Sequence, residues 1–88
     1  MSLEDQRFVH SVYNLIHSSR RNNLTKQDLK NIINEYRSRY PSLDADIGQE
    51  VDLDNLPNNY GRLVEIVIWY TMTLIQVFSQ IFREAGIL

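Results

Sequence analysis

Two histidines and no cysteines are available for metal or nucleophilic chemistry in these 88 residues. His10 and His17 are seven positions apart and would share a helix face, but metal ligands on one helix prefer a spacing of three or four. The lack of cysteine excludes disulfides, thiolate zinc sites and thiol catalysis. Three scattered glycines provide no glycine-rich phosphate loop. We therefore expect no metal site, no cofactor and no enzymatic activity.

Five carboxylates lie between residues 41 and 60, a stretch without any basic residue. They are Asp44, Asp46, Glu50, Asp52 and Asp54. A calcium-binding helix–loop–helix needs side-chain ligands at fixed positions and a glycine at the sixth. A loop that starts at Asp44 places Gly48 one position early and lacks the third ligand, and one that starts at Asp52 has Pro57 in the glycine position. The pattern therefore predicts a solvated acidic connection.

A basic block precedes this acidic one. Residues 20–40 carry a net charge of +4, and residues 41–60 carry −5. The candidate cations are Arg20, Arg21, Lys26, Lys30 and Arg37. They could contact phosphates, so a small nucleic-acid-binding protein is one hypothesis. Blocks of opposite sign could instead pair within a chain or between chains, and the pI of about 5.5 favours that interpretation.

Hydrophobic periodicity predicts three helices. Their approximate bounds are residues 3–19, 25–40 and 60–85. A capping-box pattern begins at Thr25, and Pro41 ends the second helix because the residue before a proline disfavours helical geometry. Residues 41–59 would be a loop that is functional, partly disordered or contains a short helix. The sequence therefore predicts a single all-α domain over residues 1–88: a small three-helix bundle with a long C-terminal helix and an acidic loop before it.

Residues 63–78 are the most apolar part of the chain, and a membrane span would need about 20 such residues. On a helical wheel, however, a polar stripe follows the whole third helix. It consists of Arg62, Glu65, Thr73, Gln76, Gln80, Arg83 and Glu84. The stripe argues against a transmembrane span. The first ten residues are polar rather than signal-like, so we expect an intracellular protein, cytoplasmic or nuclear.

The apolar arc of the third helix is about 180° wide, whereas a helix on a globular core usually needs about 100°. Trp69 and Met72 fall in or beside the polar stripe, and both residue types are enriched in interface cores. We therefore predict a non-catalytic interaction module that forms a homodimer or binds another protein. The predicted interface is Ile66, Trp69, Tyr70, Met72, Leu74, Val77, Phe78 and Ile81. Alternatively, the acidic loop covers Ile66, Trp69 and Met72, or the helix attaches peripherally to a membrane.

The start of the third helix reads Asn59-Tyr60-Gly61-Arg62-Leu63-Val64. This hexapeptide resembles the Asn-Trp-Gly-Arg-hydrophobic-Val signature that starts the central hairpin of the B-cell-lymphoma type apoptosis regulators. The resemblance covers six of 88 residues, and Tyr60 replaces the usual tryptophan. We transfer no function from it.

Overall fold

The computed structural model describes residues 2–87, and every regular element in that range is helical. The elements are α1 (Leu3–Arg20), α2 (Lys26–Arg39), α3 (Leu43–Ile47), a 3-10 turn (Leu53–Asn55), α4 (Tyr60–Val77) and α5 (Ser79–Glu84). The all-α prediction is confirmed, and the first two helices lie within one residue of their predicted bounds.

The helix starts are fixed by side chains that accept hydrogen bonds from otherwise free backbone N–H groups. The Thr25 hydroxyl accepts from the Asp28 N–H at 3.0 Å, and the Asp28 carboxylate accepts from the Thr25 N–H at 3.1 Å. This completes the predicted capping box. Asn59 accepts from the Arg62 N–H at 3.2 Å and fixes the start of α4 in the same way.

The C-terminal third of the chain differs from its prediction. Residues 60–85 do not form one continuous helix, because α4 ends at Val77 and Phe78 leaves helical geometry with φ −104° and ψ 33°. The predicted acidic loop contains α3 and the 3-10 turn. With this additional helix and the division of the third helix into α4 and α5, residues 2–87 contain five α-helices where three were expected. No helix within residues 2–87 is long and apolar enough to cross a membrane.

An aromatic cluster around Phe8 of α1 explains the break before α5. The Phe8 ring makes edge-on contacts with the rings of Tyr36, Tyr40 and Phe78 at centroid distances of 5.2, 5.1 and 5.2 Å. The Phe82 ring lies 5.9 Å away and is buried. Such pairs contribute about 0.5–1.5 kcal/mol beyond area burial. Phe78 and Phe82 lie at and after the break and both contact Phe8, so aromatic packing stabilises the chain around the break.

The connection between α2 and α4 is held on the core by its own apolar residues. Leu43, Val51 and Leu56 are all buried and belong to the single hydrophobic cluster of the fold. At the end of this connection the Tyr60 hydroxyl donates a hydrogen bond to the Ser19 carbonyl oxygen at 3.0 Å. The start of α4 is therefore tied to the end of α1. We call the connection from α2 to α4, residues 41–59, the acidic stretch.

Candidate interaction surface

The outer face of α4 exposes three large apolar side chains next to one another. Ile68, Trp69 and Met72 are 49%, 39% and 62% exposed. Successive helix residues rotate by about 100°, so these three lie within an arc of about 100° on the side away from the core. Exposed polar residues, Glu65 one turn before and Gln76 one turn after, bound this group. We call Ile68, Trp69 and Met72 the outer strip.

The eight residues of the predicted interface divide into three environments. Trp69 and Met72 are exposed. The partly buried members, which pack against the core, are Ile66, Phe78 and Ile81, and Val77 is also partly buried. Tyr70 and Leu74 are 1% and 0% exposed. This corrects the predicted interface: Tyr70 and Leu74 belong to the core of the folded chain and cannot contribute to a surface, because α1 and α3 pack on that side of α4.

Ile68 is a surface residue that the sequence interpretation missed. It lies one residue before Trp69 and one turn before Met72, so the wheel that identified those two also places it beside them. Two further large apolar side chains, Leu3 and Tyr13, are 62% and 41% exposed on α1.

The acidic stretch covers one flank of α4 and leaves the outer strip open. Val51 and Leu56 are buried there, and an open groove of about 930 Å³ lies between this stretch and α4. Trp69 lines the groove and is still 39% exposed. The alternative in which the acidic loop covers the interface residues is therefore correct only in part. The loop lines a groove together with Trp69 but does not bury this side chain.

The acidic and basic blocks meet within the chain through Arg37. Its Nε lies 3.2 Å from an Asp44 carboxylate oxygen, its Nη2 lies 3.7 Å from Glu50, and the same Nη2 donates to the Val51 carbonyl oxygen at 2.9 Å. The Lys26 ammonium donates to the Asn58 side chain. The intramolecular pairing predicted from the charge blocks therefore exists, and it fastens the acidic stretch to α2.

The remaining candidate cations, Lys30, Arg20 and Arg21, have different surroundings. Lys30 and Arg37 line a second groove with Glu50, Asp52 and Asp54. Arg20 and Arg21 are exposed at the end of α1. Three of the five candidate phosphate-binding cations thus face acidic or amide partners, and nucleic-acid binding stays a prediction that depends mainly on Arg20 and Arg21.

Two acidic side chains stabilise local structure. Asp52 accepts hydrogen bonds from the Asn55 amide at 2.6 Å and from the Asp54 N–H at 3.1 Å, and these bonds hold its pKa below the usual value. Asp46 accepts from the Ser42 hydroxyl at 2.9 Å. Within residues 2–87, no three His, Asp or Glu side chains are grouped so as to hold a metal ion.

Buried tyrosines supply the only strongly perturbed side-chain acidities among the described residues. Burial raises the pKa of Tyr36 to about 12 even though its hydroxyl shares a 2.7 Å hydrogen bond with Ser11. Burial also raises the pKa of Tyr70, whose hydroxyl has no hydrogen-bond partner within residues 2–87. Both phenols are neutral at physiological pH, and their role is in packing.

Comparisons with known proteins provide no information about the outer strip. No protein-family model matches the chain, and no curated protein or solved structure gives a significant match. The hexapeptide 59–64 forms the cap and first turn of α4. A Cβ at Gly61 would lie 3.2 Å from the capping Asn59 oxygen, so the glycine leaves room for the cap. This local packing accounts for the sequence pattern there.

Proposed function

We propose that the chain is a non-catalytic protein-interaction module that self-associates through the outer strip of α4. The observation that carries the proposal is the side-by-side exposure of Ile68, Trp69 and Met72 on a helix whose opposite face is already packed. Scattered apolar residues are normal on a protein surface, whereas contiguous ones mark interaction sites. Tryptophan and methionine are also enriched in the centres of interfaces.

A second copy of the same strip is a suitable occupant, because a two-fold interface must be complementary to itself. With the two α4 helices antiparallel and the axis between residues 70 and 71, Trp69 of one copy would face Met72 of the other. Sulfur–aromatic contacts of this kind are favourable. Glu65 would face Gln76, so no two carboxylates oppose each other, and the helix dipoles run in opposite directions.

The area of the outer strip limits the expected affinity of self-association. α4 has 18 residues and is about 27 Å long, so a contact about 10 Å wide covers about 270 Å² per copy. Stable dimers cover about 800 Å² per copy. Self-association through α4 alone is therefore weak, with a Kd on the order of 100 µM.

Sedimentation equilibrium from about 5 µM to about 500 µM protein tests the proposal. We expect the average mass to rise from 10.4 kDa toward twice that value as concentration increases. Met72→Glu should abolish the rise, since it places a charge at the centre of the contact, while the circular dichroism of the helices stays unchanged.

Leu3→Glu is the matched control, because Leu3 and Met72 are both 62% exposed but lie on different helices. This variant should associate like the unmodified chain. A constant mass of 10.4 kDa over the whole range, or equal loss of association in both variants, would refute the proposal.

A further inference from the structure

The groove between the acidic stretch and α4 combines an apolar lining with a negatively charged edge. Val51 and Leu56 line it from the acidic stretch, and Trp69 lines it from α4. Both aliphatic residues are 8% exposed and Trp69 is 39% exposed, so the apolar lining is accessible mainly at the indole. The polar residues at this groove include Glu50, Asp52 and Glu65.

Charge at the groove is unbalanced. Three carboxylates line it, and Arg62 is the cation among its lining residues. The Glu50 carboxylate has a 3.7 Å contact with Arg37, but its side chain remains 72% exposed. The exposed Asp52 carboxylate accepts hydrogen bonds from the Asn55 amide and the Asp54 N–H and adds a further negative charge. A cationic ligand would therefore find complementary potential at this groove.

The length of the groove limits the size of its occupant. Along α4 the lining residues extend from Arg62 to Trp69, a rise of seven residues or about 10.5 Å of helix. An extended peptide covers about 10 Å with three residues. The space thus suits a short extended segment with one apolar side chain against the indole. Its two neighbours point away from the groove floor, so long cationic side chains are needed there to reach back to the carboxylates at the groove edge.

We propose that this groove docks a basic partner peptide of the form cation–apolar–cation, in extended conformation, with the apolar side chain against Trp69 and the cations beside Glu50 and Glu65. The site lies on the flank of α4 and shares Trp69 with the outer strip. It would operate in a monomer, so it does not depend on self-association.

The single tryptophan of the chain provides a direct readout, because it lines the groove. Fluorescence of Trp69 is titrated with the capped peptide acetyl-Lys-Leu-Lys-amide at a protein concentration of about 5 µM, far below the expected dimer Kd. We expect saturable binding with a Kd of about 0.1–1 mM at about 20 mM salt, weakening several-fold at about 200 mM salt because the cations are screened.

Two altered peptides separate the apolar and ionic contributions. Acetyl-Lys-Ser-Lys-amide lacks the apolar side chain, and acetyl-Glu-Leu-Glu-amide reverses the charge. Each should bind at least fivefold more weakly than the Lys-Leu-Lys peptide. Equal binding of the serine peptide would show that only surface charge acts, and equal binding of the glutamate peptide would show that charge has no part. Either result overturns the proposal, as does the absence of saturable binding at low salt.

A pair of protein variants locates the site. The double substitution Glu50→Gln and Glu65→Gln should weaken binding about four- to tenfold, since each exposed charge contributes about two- to threefold. It leaves Asp52, which caps the 3-10 turn, in place. The control Glu4→Gln with Glu84→Gln changes the net charge equally on α1 and α5, away from the groove. Equal effects of the two double variants would place the peptide elsewhere and overturn the proposal.

The two proposals fail independently. A chain that stays monomeric in sedimentation but binds the Lys-Leu-Lys peptide refutes self-association only. A chain that dimerises without binding the peptide refutes the groove proposal only. Met72→Glu, which removes the dimer contact, should bind the peptide at least as tightly as the unmodified chain, because Met72 does not line the groove and the added charge is negative.

Discussion

Helix α4 has two apolar faces that folding treats differently. Its inner face, with Leu63, Val67 and Leu74, is at most 4% exposed, whereas Ile68 and Met72 on the outer face are about half or more exposed. The residue types are similar, and the difference lies in the neighbours: α1 and α3 contact α4, whereas the part of the acidic stretch after α3 lines a groove beside it. Apolar side chains on both faces therefore favour burial, but the tertiary arrangement decides which of them are buried.

The largest expected effect is the difference in stability between substitutions on the inner and outer faces of α4. Leu74→Ala should lower the free energy of unfolding by about 2–5 kcal/mol, since it leaves a cavity in the core. Met72→Ala on the outer face should change it by less than about 0.5 kcal/mol in the monomer. Urea denaturation followed by circular dichroism at low protein concentration measures both. Similar losses for the two variants would mean that the outer face is covered in solution.

A second expectation concerns alkaline pH and the inner face. The folded state holds the protons of Tyr36 and Tyr70 above their usual pKa, whereas the unfolded chain releases them near pH 10. Stability is therefore complete below pH 10 and falls as pH rises toward 12, by about 1.4 kcal/mol per pH unit for each tyrosine. Tyr70→Phe should roughly halve that slope in urea denaturations between about pH 10 and about pH 11.5.

Tyr13→Phe is the control for this pH dependence, because Tyr13 is exposed and should leave the slope unchanged. At neutral pH, Tyr70→Phe should be at least as stable as the unmodified chain, since it removes a buried hydroxyl that has no hydrogen-bond partner within residues 2–87. A clear loss of stability at neutral pH would show that the hydroxyl is bonded in solution.

The smallest effect concerns the Arg37 contacts that fasten the acidic stretch to α2. Arg37→Gln removes the ion pairs to Asp44 and Glu50 and the hydrogen bond to the Val51 carbonyl, and should cost about 1–2 kcal/mol because the site is partly exposed. Arg39→Gln removes one helical ion pair to Glu35 and should cost at most about 0.5 kcal/mol. Urea denaturation compares them, and equal costs would mean that the Arg37 contacts do not hold the stretch in solution.

Much of the local structure could be predicted because its causes are local. The Thr25 capping box, the helix stop before Pro41 and the periods of α1 and α2 all depend on residues within a few positions of one another. The charge blocks also indicated pairing correctly, because the two stretches are neighbours in the chain. The exact partner, Arg37, required the tertiary structure.

The break at Phe78 and the placement of Tyr70 in the core could not be predicted, because both depend on residues far away in sequence. Phe8 lies 70 positions before Phe78, and no pattern near Phe78 indicates that their rings meet. Tyr70 falls inside a broad apolar arc, and only the position of α1 and α3 shows which part of that arc is buried.

The sequence by itself determined an all-α chain, the starts of α1, α2 and α4, and an excess of apolar residues on α4, since propensity, capping and periodicity act over short distances. Only the tertiary structure decided that the outer strip consists of Ile68, Trp69 and Met72, and that a charged groove lined in part by Trp69 lies between the acidic stretch and α4. The physical reason is that exposure depends on which neighbour packs on a face, and that neighbour is supplied by contacts distant in sequence.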